Sequence, residues 1–328
     1  MLGNNYAPEF FNGIPDKAGD PLKRICEETL EDLEGYKTIL QQFGIKVIQP
    51  EMDSNERFLD NPRKYPRGPL QPRDNFIVLG NECYYTGNDH PAIIERLNKY
   101  SRVLTPTQVH DYMISSASAF VLGNRIIIGR KYTVLDYTRE ELESYLPGLK
   151  NFDIIEATME GHTDSNFHPI KPGAILSLKD VHNYEETFPG WDVCYLPDQS
   201  WSKVRKFLDL KKHNGGKWWL LGEEDNNEFT EFVETWLQDW VGYVEETVFD
   251  VNVLMLDEHH CCVSNPNNEQ VNAFLKKHHV EPVYVPWRHR FFWDGGLHCI
   301  TLDLQRKGTQ QDYFSNSNNM IINKGFFL

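Results

Sequence analysis

Phe76 to Tyr85 reads FIVLGNECYY and Ala119 to Ile128 reads AFVLGNRIII, and each stretch sets Gly-Asn between apolar, strand-forming runs. Gly-Asn marks a two-residue hairpin turn, because one or both central positions of such a turn need positive φ. Two further hairpins are expected, at His168 to Leu178 around Lys171-Pro172-Gly173 and at Val253 to Val263 around Asp257-Glu258. Helical segments recur among them: Pro91 to Tyr100, Trp201 to Lys212, Glu228 to Trp240 and Glu269 to His278. Hairpins repeatedly separated by helices predict an α/β fold of ββα-type modules that close on themselves, as in propeller-like architectures. An ordinary open α/β sheet gives the same alternation, so the pattern fixes the class and leaves the ring open.

Upstream, residues 20 to 44 carry Ile25, Leu30, Leu33, Tyr36, Ile39, Leu40 and Phe43 near helical spacing. Asp20 is the expected N-cap, Pro21 sits in the first turn and Gly44 ends the helix. Ile45 to Gln49 is β-branched and predicts a strand, whereas residues 50 to 72, rich in Pro, Arg and Asp, predict an irregular loop. No Gly/Ser-rich linker or charge block divides the chain, so residues 1 to 328 are expected to form a single domain.

Composition narrows the function classes. With 40% hydrophobic and 25% charged residues the chain has the balance of a soluble globular protein, and no apolar run approaches the roughly 20 residues of a spanning helix. The opening MLGNNYAPEF lacks the basic start and apolar stretch of a secretory signal, so a cytoplasmic location without a membrane partner is expected. A net charge of -15 opposes nucleic-acid binding, which needs concentrated Lys and Arg, and suits attraction of small cations. The six cysteines are scattered, and His259-His260-Cys261-Cys262 alternates across a strand instead of converging on an ion. Phosphate-loop, dinucleotide and zinc-protease fingerprints are missing from the sequence, which removes most common cofactor chemistries.

Three segments carry candidate chemistry. In Asp294 to Asp303, DGGLHCITLD, two glycines permit close backbone approach and lead into His298 and Cys299 at the start of an expected strand. Cys299 there is either a reactive thiol held at the mouth of a sheet or an inert small hydrophobe. In Glu160 to His168, EGHTDSNFH, His162 and Asp164 share one face of an extended stretch, which sets an acid–base imidazole beside a carboxylate suited to a guanidinium. A turn stabilised by Asp164 is the structural alternative. Asp74, in Pro72-Arg73-Asp74, either caps a turn or offers a cation a second carboxylate.

In this order, Pro72-Arg73-Asp74, His162-x-Asp164 and Gly295-Gly296-Leu297-His298-Cys299 resemble the glycine amidinotransferase family, within the guanidino-modifying superfamily that also holds the arginine deiminases. PRDNFIVLGNE at residues 72 to 82, NVLMLDE at 252 to 258 and Arg306-Lys307-Gly308-Thr309 extend the resemblance over roughly residues 22 to 313. It implies a five-module αβ-propeller with its site in a central channel, and a chemistry for which no metal or organic cofactor is expected. Cys299 would attack the guanidinium carbon, His162 would move protons, and Asp74 and Asp164 would grip the guanidinium nitrogens. It also implies small-molecule substrates, an arginine-like donor and a small primary amine such as glycine, with a hydrolase using the same Cys and His as the rival; a homodimer is left open. The chain departs from the family pattern at four places. Ser115 or Ser118 stands where an acid should orient the histidine, with Asp111 a nearby substitute, and Lys179 stands in for the arginine that receives the donor carboxylate. Glu245-Glu246 replaces a serine pair on the substrate-binding side, and residues 1 to 19 show no opening strand, which implies an abbreviated first module.

Overall fold

The computed structural model describes residues 1–62, 65–85, 90–99, 106–108, 114–130, 138–158, 162–179, 184–200, 219–242, 246–306 and 313–314. Among these residues four three-stranded sheets share one plan. β1 (Phe76–Leu79), β2 (Glu82–Tyr85) and β3 (Pro106–Gln108) form the first sheet; β4 (Ala119–Leu122), β5 (Arg125–Arg130) and β6 (Asp153–Thr158) form the second. β7 (Phe167–Lys171), β8 (Ala174–Lys179) and β9 (Asp192–Ser200) form the third; β10 (Leu254–Met255), β11 (His260–Val263) and β12 (Glu281–Tyr284) form the fourth. In each, two strands pair antiparallel and the third returns parallel to the second. A parallel return requires a crossover, and the helices Pro91–Lys99, Arg139–Tyr145, Tyr184–Thr187 and Glu269–Lys277 fall within those crossovers. The expected ββα repeat is therefore present, with a closing strand added to each module.

The hairpins form where the glycines allow them. Leu79 pairs with Glu82 and Leu122 with Arg125, so Gly80-Asn81 and Gly123-Asn124 are the whole of each turn. Gly80 and Gly123 take φ of 62° and 73°, which L side chains disfavour.

Five apolar clusters follow one another through the modules. Ile77 and Leu79 pack with Ile126 and Ile128, joining the first sheet to the second. Phe120 and Ile127 pack with Phe167 and Ile175, and Leu176 packs with Val253 and Val263, carrying the succession onward. Leu254 and Cys262 then meet the long helix Asp16–Gln42, together with Leu297 and Ile300. Finally Ile48 and Leu302 pack against Phe76 and Cys83 of the first sheet. Each module buries its apolar faces against both neighbours.

Two expectations need correction. The long helix starts at Asp16 instead of Asp20, with Pro21 inside it. An interior proline removes one N–H and leaves the carbonyl four residues earlier without its partner. Here Asn226 Nδ2 donates to that Lys17 carbonyl at 2.7 Å. Residues 45 to 49 form no strand; the Ile48 carbonyl accepts a single bond from Leu2 N–H at 2.9 Å, and one bond does not make a ladder. The opening strand sought in residues 1 to 19 is reduced to Leu2, which bridges Thr301 antiparallel. The expected helix at Trp201 to Lys212 lies outside the described residues.

Asn226 also caps the helix Asn227–Trp236, accepting from Phe229 N–H at 3.0 Å. Asn226→Ala removes the cap and the Lys17 contact together and is expected to cost about 1–2 kcal/mol, read as a lower urea midpoint. An unchanged midpoint would show that neither bond contributes.

Candidate active site

The chemistry-bearing residues occupy equivalent places, each on the segment entering the first strand of a module. Asp74 precedes β1, Ser115 to Ser118 precede β4, His162 to Asp164 precede β7, Asn252 precedes β10 and Cys299 precedes the Thr301 bridge. Hydrogen bonds link these segments in a closed circuit. Ala117 N–H donates to the Arg73 carbonyl (3.2 Å) and Asp164 N–H to the Ala117 carbonyl (3.1 Å). Asn252 Nδ2 donates to the Asp164 carbonyl (3.0 Å), His298 N–H to the Asn252 carbonyl (3.4 Å), and Arg73 Nε to the His298 carbonyl (2.8 Å).

Cys299 is not on a strand, as the sequence suggested. Ile300 N–H donates to the Gly296 carbonyl and Thr301 N–H to that of His298, which curls the segment into a turn. The glycine pair permits it: a Cβ on Gly295 would lie 1.9 Å from Gln71 Nε2, and one on Gly296 2.5 Å from Asn252 Oδ1. His162 and Asp164 likewise do not share a strand face, because Thr163–Ser165 is a 3-10 turn. The turn sends Asp164 fully inside (0% exposed) and leaves the His162 side chain 31% exposed.

Asp164 Oδ2 accepts from His298 Nδ1 at 2.7 Å and from the Cys299 thiol at 3.5 Å. Asp74 Oδ1 faces His162 Nδ1 at 3.8 Å, while its Oδ2 lies 3.6 Å from an Arg67 nitrogen. The other Asp164 oxygen, Oδ1, and Asp74 Oδ1 are both buried and make no hydrogen bond among the described residues. Cys299 thus contacts Asp164 and His162 faces Asp74, and the charges of Asp74 and His162 bear on Asp164. Ser115 turns to Ser118 Oγ at 3.5 Å, and the carboxylate facing His162 is Asp74. Lys179 ends β8, where its backbone pairs with Ser200; its side chain, that of Glu246, and all of Glu245 and Asp111 lie outside the described residues. Sequence reasoning missed Asn252 and the role of His298, whose partners are residues of other modules.

Burial dominates the electrostatics. It pushes the Cys299 thiol well above its ordinary range, and the nearby charges of Asp164 and Asp74 push it further. The Asn252 hydrogen bond works the other way. Burial raises Asp164 to about 6 against the opposing influence of His162, while Asp74 adds to the rise. Burial beside the Arg73 cation holds His298 neutral, so Nδ1–H is the donor to Asp164. The site therefore keeps a protonated thiol among carboxylates.

No family model matches the chain. Glycine amidinotransferase, mitochondrial, of Xenopus tropicalis is 28% identical over 342 residues, covering 90% of this chain and 73% of the relative. L-arginine:L-lysine amidinotransferase of Pseudomonas savastanoi pv. phaseolicola is 23% identical, covering 91% and 84%. The chain is thus similar to curated amidinotransferases over about nine tenths of its length. Among solved structures, SxtG, an amidinotransferase from Microseira wollei in the saxitoxin biosynthetic pathway, superposes with a TM-score of 0.61 at 18% identity, covering 89% of this chain and 87% of that one. This likeness shows a shared mixed α/β fold. Among the described residues, no helix is long and apolar enough to cross a membrane.

With the thiol raised by burial and two acids, alkylation of Cys299 by iodoacetamide is expected to climb about tenfold per pH unit through pH 9. Peptide mass mapping of the modified residue reads this rate. A plateau already reached by about pH 8 would contradict the assignment of a protonated resting thiol.

Proposed function

We propose that the chain transfers the amidino group of a guanidine, arginine first among candidates, to a small primary amine through a covalent intermediate on Cys299. One observation carries this reading: two buried carboxylate oxygens that make no hydrogen bond among the described residues, Asp74 Oδ1 and Asp164 Oδ1, on the two acids whose charges bear on one buried thiol. Unpaired buried charge is costly, and a planar cation with several N–H donors offsets it at both acids. A guanidinium held there presents its carbon to the sulfur, and its positive charge counters the two acids that hold the thiol protonated.

In the first half-reaction Cys299 Sγ bonds to the guanidinium carbon and the bond from that carbon to the donor amine breaks. The thiol proton passes through His162 to the leaving amine, which is ornithine when the donor is arginine. In the second half-reaction the acceptor nitrogen bonds to the same carbon, the S–C bond breaks, and the acceptor's proton returns through His162 to sulfur. Glycine represents the acceptor class, a small primary amine; the two relatives' names specify different acceptors, glycine and lysine. The circuit of hydrogen bonds and the cyclic order of apolar clusters support a five-module αβ-propeller around this site.

Product analysis tests the reaction class. Arginine with a panel of primary amines is expected to give ornithine and a new guanidine only when an amine is supplied. Citrulline formed at the same rate with or without amine would replace transfer by hydrolysis of the same cysteine adduct.

A further inference from the structure

Asn252 is 1% exposed and its amide is fully used. Nδ2 donates to Cys299 Sγ at 3.1 Å and to the Asp164 carbonyl at 3.0 Å. Oδ1 accepts from the backbone N–H of His298 at 3.0 Å and of Cys299 at 3.1 Å. A carboxamide has two N–H donors and two oxygen lone pairs, so this set exhausts it. The orientation is fixed by the same partners: a flipped amide would set its NH2 against two N–H donors and its oxygen against a carbonyl. Gly296 completes the fit, since any side chain there would strike Asn252 Oδ1.

We propose that Asn252 is a catalytic residue for the cysteine chemistry, its Nδ2–H being the hydrogen-bond donor that stabilises Cys299 sulfur as a thiolate. The assignment deepens the proposed transfer and rests on Cys299 being its nucleophile. The donor is needed because both carboxylates bearing on the sulfur oppose its ionisation, which leaves the Asn252 amide and the Gly296 backbone to favour it. Asp164 Oδ2 accepts from the thiol, so it favours S–H, and neither carboxylate donates. Asn252 Nδ2–H is a side-chain donor built into the protein and already in place before any substrate arrives. The same contact serves both half-reactions, since Sγ is the attacking thiolate in the first and the departing thiolate in the second. Two backbone bonds to Oδ1 stop the amide from swinging away as charge develops. A purely structural asparagine would need the bonds to Asp164, His298 and Cys299 backbone; it would not need the one to sulfur.

Asn252→Asp keeps the size and the accepting oxygen while removing both donors. The substrate-free protein is alkylated with iodoacetamide at Cys299 across a pH series, and its melting curve is recorded alongside. The variant is expected to fold and to react about tenfold more slowly at each pH, as a thiol losing one donor and gaining an acid should. Separately, first-turnover formation of the amidino adduct is expected to slow by about tenfold or more, with arginine affinity changed by less than about threefold. A folded variant with an unchanged alkylation profile overturns the assignment. Alkylation needs no guanidine, so failure of amidino transfer would show as a missing adduct in the unsubstituted enzyme and would leave this readout intact. If Asn252→Asp does not fold, the unsubstituted protein labelled with 15N-asparagine decides: one side-chain NH2 pair must shift as Cys299 ionises, and must not do so in Cys299→Ser. No titrating amide pair would also overturn the proposal.

Discussion

The site exists because the segments entering successive modules are hydrogen-bonded to one another around a closed circuit, from Arg73 through Ala117, Asp164 and Asn252 to His298 and back. These groups are deeply buried, so each has to find its partner within the protein or leave a donor or acceptor unpaired at a cost of about 1–3 kcal/mol. The modules therefore cannot shift independently. Local features follow from that demand: Gly295 and Gly296 yield space to Gln71 and Asn252, and the Arg73 side chain closes the circuit while pairing with Asp303.

Such a frame can hold an arrangement that would not persist in a softer one. Two carboxylates and a thiol are kept together, Asp164 and Cys299 deeply buried, and burial raises Asp164 to about 6, which disfavours full ionisation of the group. The sign is definite. A carboxyl raised by folding contributes stability below its ordinary range near 3.8, and that contribution is lost as pH rises through about 6. A bound cation reverses the balance by favouring the ionised acids. In the proposed reading, the oxygens of Asp74 and Asp164 that make no hydrogen bond among the described residues are where a guanidinium would be held.

What could be read from the sequence was what is locally encoded. The hairpins at Gly80-Asn81 and Gly123-Asn124 were legible because positive φ at glycine is a property of the turn itself. Cys299, His162, Asp74 and Asp164 were legible as residue types in order, though not in their local conformations. Alternation suggested a strand for residues 162 to 164, but a 3-10 turn won because Asp164 must donate its N–H to Ala117 and its side chain must meet His298. The start of the long helix was misplaced for a similar reason, since the partner that makes Pro21 tolerable is Asn226, distant in sequence. Asn252 gave the weakest signal of all: an asparagine before a strand looks like a turn residue until the fold brings Cys299 and Asp164 to it.

The most direct measurement is intact-protein mass spectrometry after brief incubation with arginine and no acceptor, with Cys299→Ser alongside. The account predicts added mass corresponding to one amidino group on the unsubstituted chain, lost on adding an accepting amine and never formed by the variant. An equal adduct on the variant, or turnover of arginine to ornithine that persists without Cys299, would contradict it.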